Sequence, residues 1–205
     1  YYTQSGGLLS VGAYRRDVKN FISNTSVIAT KAMLNDLGLA DDYEGYLLTH
    51  PENVTGSVRQ TGLELSGRQR LRPWLSVFAN YSRNRVTGLR AGDFANGQTR
   101  RFNAGLQFAH RALSMSVNYN WVGLRRGATA GIAPNAFVFT RPRGIVNVSA
   151  EYLVRRNTAV FCTISNLLKE PLINETYGTD TPAYARVTSN RGDGSQVQFG
   201  LKGSF

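Results

Sequence analysis

Apolar side chains recur at every second position along most of this chain. Leu113, Met115, Val117, Tyr119 and Trp121 are interleaved with Ser114, Ser116, Asn118 and Asn120. Phe102, Ala104, Leu106 and Phe108 alternate with Asn103, Gly105 and Gln107. Leu75, Val77, Ala79 and Tyr81 form a third set, broken on the other parity only by Phe78, and Val146, Val148, Ala150 and Tyr152 form a fourth. Successive strand side chains point to opposite faces, so each segment has one apolar and one polar face. Weaker versions are carried by Leu63 and Leu65, by Val160, Cys162 and Ile164, and by Val197, Phe199, Leu201, Gly203 and Phe205. Leu9, Val11 and Ala13 begin an eighth, which Tyr14-Arg15-Arg16-Asp17 interrupts. Eight antiparallel strands are expected.

The connections alternate in length. Tight turns fall at Arg70-Leu71-Arg72-Pro73, His110-Arg111-Ala112 and Arg155-Arg156-Asn157, with long polar segments at 23–53, 88–99, 124–142 and 168–193. Short turns at one end and long loops at the other describe an all-β, antiparallel transmembrane β-barrel wall. A soluble β-sandwich also alternates. Against it, the polar parity carries Ser, Asn, Gly and Gln, with few of the Lys and Glu that solvate a sandwich surface. Glu64, Glu151 and Lys202 also keep to that parity, as a lipid-facing apolar side requires. Tyr81 and Trp121 close the outer ends of upward strands and Tyr152 lies near the inner end of a downward one, which makes them interface aromatics. Trp74 sits at a turn on the polar parity and fits less cleanly.

Four stretches carry a resemblance: GGLLSVGAYRRDVKNFI (6–22), NVTGSVRQTGLELSGRQRLRPWLSVFANYSRNRVTG (53–88), TISNLLKEPLINETYG (163–178) and VQFGLKGSF (197–205). They resemble the C-terminal part of TonB-dependent outer-membrane receptors. The resemblance implies that residues 1–205 are the last eight strands of a larger barrel of about 22. The plug domain and TonB box would lie outside this chain. It also implies that Val197, Phe199, Gly200, Leu201 and Phe205 form the signal read by the barrel assembly machinery, with Gly203 departing from the larger residue usual there. The implied function is TonB-energised uptake of a scarce solute, such as a siderophore, cobalamin or an oligosaccharide, across the bacterial outer membrane. A self-contained eight-stranded barrel with a structural or adhesion role is the alternative.

Other chemistries find little support. No run reaches the ~18 apolar residues of a membrane helix. The single Cys162 excludes a disulfide framework and a thiolate zinc site. His50 and His110 lie far apart, Asp41-Asp42 sit in a polar loop, and no G-x-S-x-G, phosphate loop or dinucleotide fingerprint occurs. His110 with Ser114 or Ser116 is the one catalytic pairing to test. No enzyme, cofactor or metal site is expected. The net charge of +11 is scattered over turns and loop bases, which suits lipid and lipopolysaccharide phosphates at the two interfaces better than nucleic acid. Within 23–53, Thr30 is expected to cap a short helix that stops at Gly38, with Met33, Leu34 and Leu37 on its apolar face. The solute-contacting residues are unassigned.

Overall fold

A computed structural model describes residues 1, 6–20, 22–53, 56–88, 99–129 and 136–203. Fourteen strands lie among them: β1 (Leu8–Lys19), β2 (Ile22–Ile28), β3 (Leu47–Asn53), β4 (Ser57–Arg72), β5 (Leu75–Gly88), β6 (Thr99–His110), β7 (Leu113–Val122), β8 (Arg125–Thr129), β9 (Phe137–Thr140), β10 (Arg143–Arg155), β11 (Thr158–Ser165), β12 (Leu172–Tyr177), β13 (Val187–Arg191) and β14 (Gln196–Gly203). Eight of them form one sheet in the order β1-β4-β5-β6-β7-β10-β11-β14, every neighbour antiparallel. These are the eight strands expected from the alternation, and the three tight turns join β4–β5, β6–β7 and β10–β11. Arg111, in the second of these turns, takes a φ of 53°, the sign that two-residue hairpins need to match strand twist.

The register keeps the parities apart across the whole sheet. Val77, Leu106, Val117, Val148, Ile164 and Val197 form one cross-strand row. Above it, Leu65, Tyr81, Phe102 and Trp121 form another. Among the described residues no second sheet shields these rows: Leu106 is 48% exposed, Leu201 73% and Phe199 83%. Among the described residues few apolar side chains are buried, Val58 and Val86 on the polar parity and Leu34 in a connection being the largest. A sandwich would bury its apolar faces against each other; this sheet leaves its apolar face open. Among the described residues β1 and β14 do not pair with each other, so the sheet has two free edges there.

Three aromatic rings on the polar parity lie over glycines of the next strand. A Cβ on Gly62 would stand 2.3 Å from the Tyr14 ring, one on Gly105 2.6 Å from the Phe78 ring, and one on Gly200 3.0 Å from the Phe161 ring. Phe78, the residue that broke the alternation, is thus accommodated by Gly105.

Several expectations need correction. β1 does not end at Tyr14-Arg15-Arg16-Asp17 but runs through it to Lys19. Beyond the apolar band both faces are polar, so the strand continues without alternation, paired through Tyr14 with Gly62 and Asp17 with Arg59. Trp74, placed on the polar parity, turns at the hairpin to pack edge-on against Phe108 of the apolar parity, centroids 5.4 Å apart. Segments 124–142 and 168–193 are not merely loops, since they supply the four-stranded sheet β13-β12-β9-β8. Segment 23–53 holds the pair β2–β3 and the helix α1 (Lys31–Asp36). Thr30 Oγ1 accepts from the Met33 N–H at 3.4 Å, and Gly38 takes a φ of 68°. Of the expected apolar face, Leu34 is buried while Leu37 is 58% exposed. Most of 88–99 lies outside the described residues.

Candidate functional site

The polar parity is a hydrogen-bonded surface. Ser66, Asn80, Asn103 and Asn120 occupy one cross-strand row. Asn80 Nδ2 donates to Asn103 Oδ1 at 3.4 Å, and Asn103 Nδ2 donates in turn to Asn120 Oδ1. Two rows lower, the Ser116 and Ser149 hydroxyls are 2.8 Å apart. Lys202 is ion-paired with Glu151 across the intervening strand β11. Ser114 and Ser116 therefore belong to this face, whereas His110 pairs with Leu113 on the apolar one. The His–Ser pairing is not assembled. Among the described residues, no three His, Cys, Asp or Glu side chains cluster as metal ligands.

The second candidate surface is the four-stranded sheet at the long-loop end. Arg126 lies over the Phe137 ring, 3.5 Å from its centroid. Phe139 stacks on Tyr177 at 4.1 Å with an interplanar angle of 14°, and Arg186 stands 4.8 Å over the same tyrosine. Arg141 donates through Nε (2.9 Å) and Nη2 (2.6 Å) to Glu175 Oε1. Cross-strand pairing puts Phe137 opposite Tyr177 and Phe139 opposite Glu175, so one face combines aromatic rings with guanidinium groups. Val138, Thr140, Asn174 and Thr176 lie on the other, with Thr140 Oγ1 donating to Asn174 Oδ1 at 3.0 Å.

Asn166 joins this sheet to the wall. It is buried, adopts a φ of 53° and sits where the chain leaves β11. Its backbone N–H donates to Asn147 Oδ1 at 3.0 Å. Its Nδ2 donates to the carbonyls of Glu170 (3.1 Å) and Gly194 (2.9 Å), and its Oδ1 accepts from the Glu170 N–H at 2.9 Å. Ser195 Oγ donates to its carbonyl at 2.9 Å. Alongside, Arg143 Nη2 donates to the Glu170 carbonyl at 2.8 Å and lies 3.3 Å from Asp193. Asn tolerates the left-handed conformation better than other side-chain-bearing residues. This joint was not singled out from the sequence, although it falls in the TISNLLKE stretch.

An open, two-faced antiparallel wall with excursions at one end is thus in place, and the family model described as TonB dependent receptor-like, beta-barrel matches residues 1–167. The chain belongs to this family. No curated protein and no solved structure matches it. TonB-dependent receptors are outer-membrane receptors and transporters, not enzymes. The match ends just after β11, yet β14 pairs with β11 over eight residue pairs, Thr158–Gly203 to Ser165–Gln196. The receptor wall therefore extends beyond the matched segment by one strand.

The residues expected to matter fall as follows. Val197, Phe199 and Leu201 of β14 lie on the exposed apolar parity, while Gly200 lies on the other face beneath the Phe161 ring. Phe205 lies outside the described residues. Tyr81 and Trp121 share one apolar-face row with Phe102 between them. Tyr152 pairs with Leu113 near the turn end. Leu113 and Trp121 are eight positions apart on β7, about 26 Å along the strand at the usual rise.

Proposed function

We propose that this chain is the C-terminal barrel portion of a bacterial outer-membrane receptor for TonB-energised uptake of a scarce solute. Residues 1–205 supply eight of about 22 wall strands, and a plug domain with its TonB box stands elsewhere in the mature protein. The observation that carries this reading is the two-faced sheet: apolar rows exposed on one face, a hydrogen-bonded polar row on the other, and two edge strands that do not pair with each other among the described residues. A self-contained eight-stranded barrel requires β1 and β14 to pair. In a wider barrel each edge instead meets a further strand.

In this reading Tyr81, Trp121 and Tyr152 sit at the two membrane interfaces, where amphipathic rings are favoured. Val197, Phe199, Gly200, Leu201 and Phe205 carry the signal for the barrel assembly machinery, and arginines at both ends meet lipid and lipopolysaccharide phosphates. The aromatic–arginine face of the outer sheet contributes to the solute vestibule. Stacked rings and guanidinium groups suit a flat or anionic solute.

The intact mass and N-terminal sequence of the mature protein in outer membranes test the proposal. A mass several times 22.6 kDa, with a plug-like N-terminal region, is expected. A mature species near 22.6 kDa would replace the transporter with a small complete barrel. Deleting Phe205 is expected to lower the folded, membrane-inserted fraction several-fold, read by heat-modifiable gel mobility. Unchanged surface levels would remove Phe205 from the assembly signal.

A further inference from the structure

The apolar parity changes character above the row Leu65, Tyr81, Phe102 and Trp121. The next row on that face is Ala13, Leu63, Arg83 and Arg100, with Arg83 directly opposite Arg100 on the neighbouring strand. Arg85 takes the following position on the same face of β5, opposite Thr61. Like charges facing each other across a strand pair destabilise a sheet. Among the described residues, none of these three guanidinium groups has a carboxylate partner. The contrast with the adjoining strand pair is direct. There Asp17 accepts from Arg59 Nε at 2.8 Å and Arg15 Nε at 3.1 Å, so the sequence supplies its own anion.

Arg83, Arg85, Arg100, Trp121, Gly123 and Leu124 line a cleft of about 530 Å3. Gly123 keeps its floor low, since a Cβ there would stand 3.1 Å from the Trp121 ring and 3.4 Å from Arg100 Cβ. Guanidinium groups pair with phosphate oxygens through parallel N–H donors. A phosphate between Arg83 and Arg100 would turn their mutual repulsion into attraction. The cleft lies one row beyond Tyr81, Phe102 and Trp121 on the apolar parity, so a lipid headgroup seated there would lay its acyl chains against Leu65 and Phe102.

We infer that Arg83, Arg85 and Arg100 form a binding site for the phosphorylated headgroup of an outer-leaflet lipid, held against Trp121. This inference rests on the outer-membrane reading above.

The mature protein, extracted from outer membranes into detergent, is probed by native mass spectrometry with three additions: diphosphorylated lipid A, its phosphate-free counterpart and inorganic phosphate. Lipid A is expected to be retained at least fivefold more than the phosphate-free lipid, and less as salt is raised. Inorganic phosphate is expected not to displace it. The double variant Arg83→Gln/Arg100→Gln is expected to cut retention at least fivefold. The double variant Arg68→Gln/Arg101→Gln removes the same charge from the polar parity and is expected to leave it unchanged. Equal retention of the phosphate-free lipid would overturn the site, as would displacement by inorganic phosphate or equal losses in the two double variants. The lipid comparison on the unaltered protein holds even where a variant does not fold. A protein absent from the outer-membrane fraction would defeat the receptor reading instead, before any lipid is added.

Discussion

The wall and the outer sheet are both antiparallel, yet they are held by different forces. Wall strands run from eight to sixteen residues, and their identity lies in parity: every second side chain must suit lipid, the others must satisfy one another. Strands β8, β9, β12 and β13 have four to six residues and keep no such rule. Named pairs join them, Arg126 with Phe137, Phe139 with Tyr177, Arg141 with Glu175. The wall is thus specified by a repeated condition and the outer sheet by a handful of individual ones. The first tolerates change that respects polarity, while the second depends on the particular residues that meet.

The largest expected effect tests the wall. Val148→Arg places a charge in the middle of the exposed apolar row and is expected to cost ~2–4 kcal/mol, read as loss of the folded form in outer membranes. Ser149→Arg, one residue on and facing the other way, is expected to keep most of it. Equal losses would mean that parity does not define the membrane face. Asn166→Ala strikes the joint between the two regions. Losing three buried side-chain hydrogen bonds and a residue suited to positive φ is expected to cost ~1–3 kcal/mol. The damage should be local: proteolysis within 167–195 with the wall still assembled. Global loss of the barrel would show that the outer sheet supports the wall. The smallest effect is Arg126→Ala, expected to cost ~0.5–1 kcal/mol through the lost cation–π contact. Assembly should be unchanged while solute uptake by the intact receptor shifts. If assembly falls as far as for Val148→Arg, the outer sheet and the wall are one cooperative unit.

This division also governs what the sequence makes legible. The wall emerges from one chain because period two is visible locally: each strand declares itself within some eight residues, and all eight sit where the alternation put them. The end of β1 stays hidden because above the apolar band no parity is enforced. Only its pairing with β4 holds it extended. The outer sheet stays hidden for a related reason, since Arg141 and Glu175 are 34 residues apart and neither marks a strand. Nothing in the sequence says that Arg186 lies over Tyr177. Trp74 misleads because a turn releases its side chain from the parity of the strands it joins. The Arg83–Arg100 opposition appears only when the register is known.

The asparagine row has one further property. Asn80 gives its N–H to Asn103, and Asn103 gives its own to Asn120, so the amides point head to tail. Turning the middle one alone would set oxygen against oxygen on one side and NH2 against NH2 on the other. The three amides therefore reverse together or not at all. The row has a direction, like an arrow drawn across three strands, and anything that binds along it meets a surface whose two ends are not equivalent.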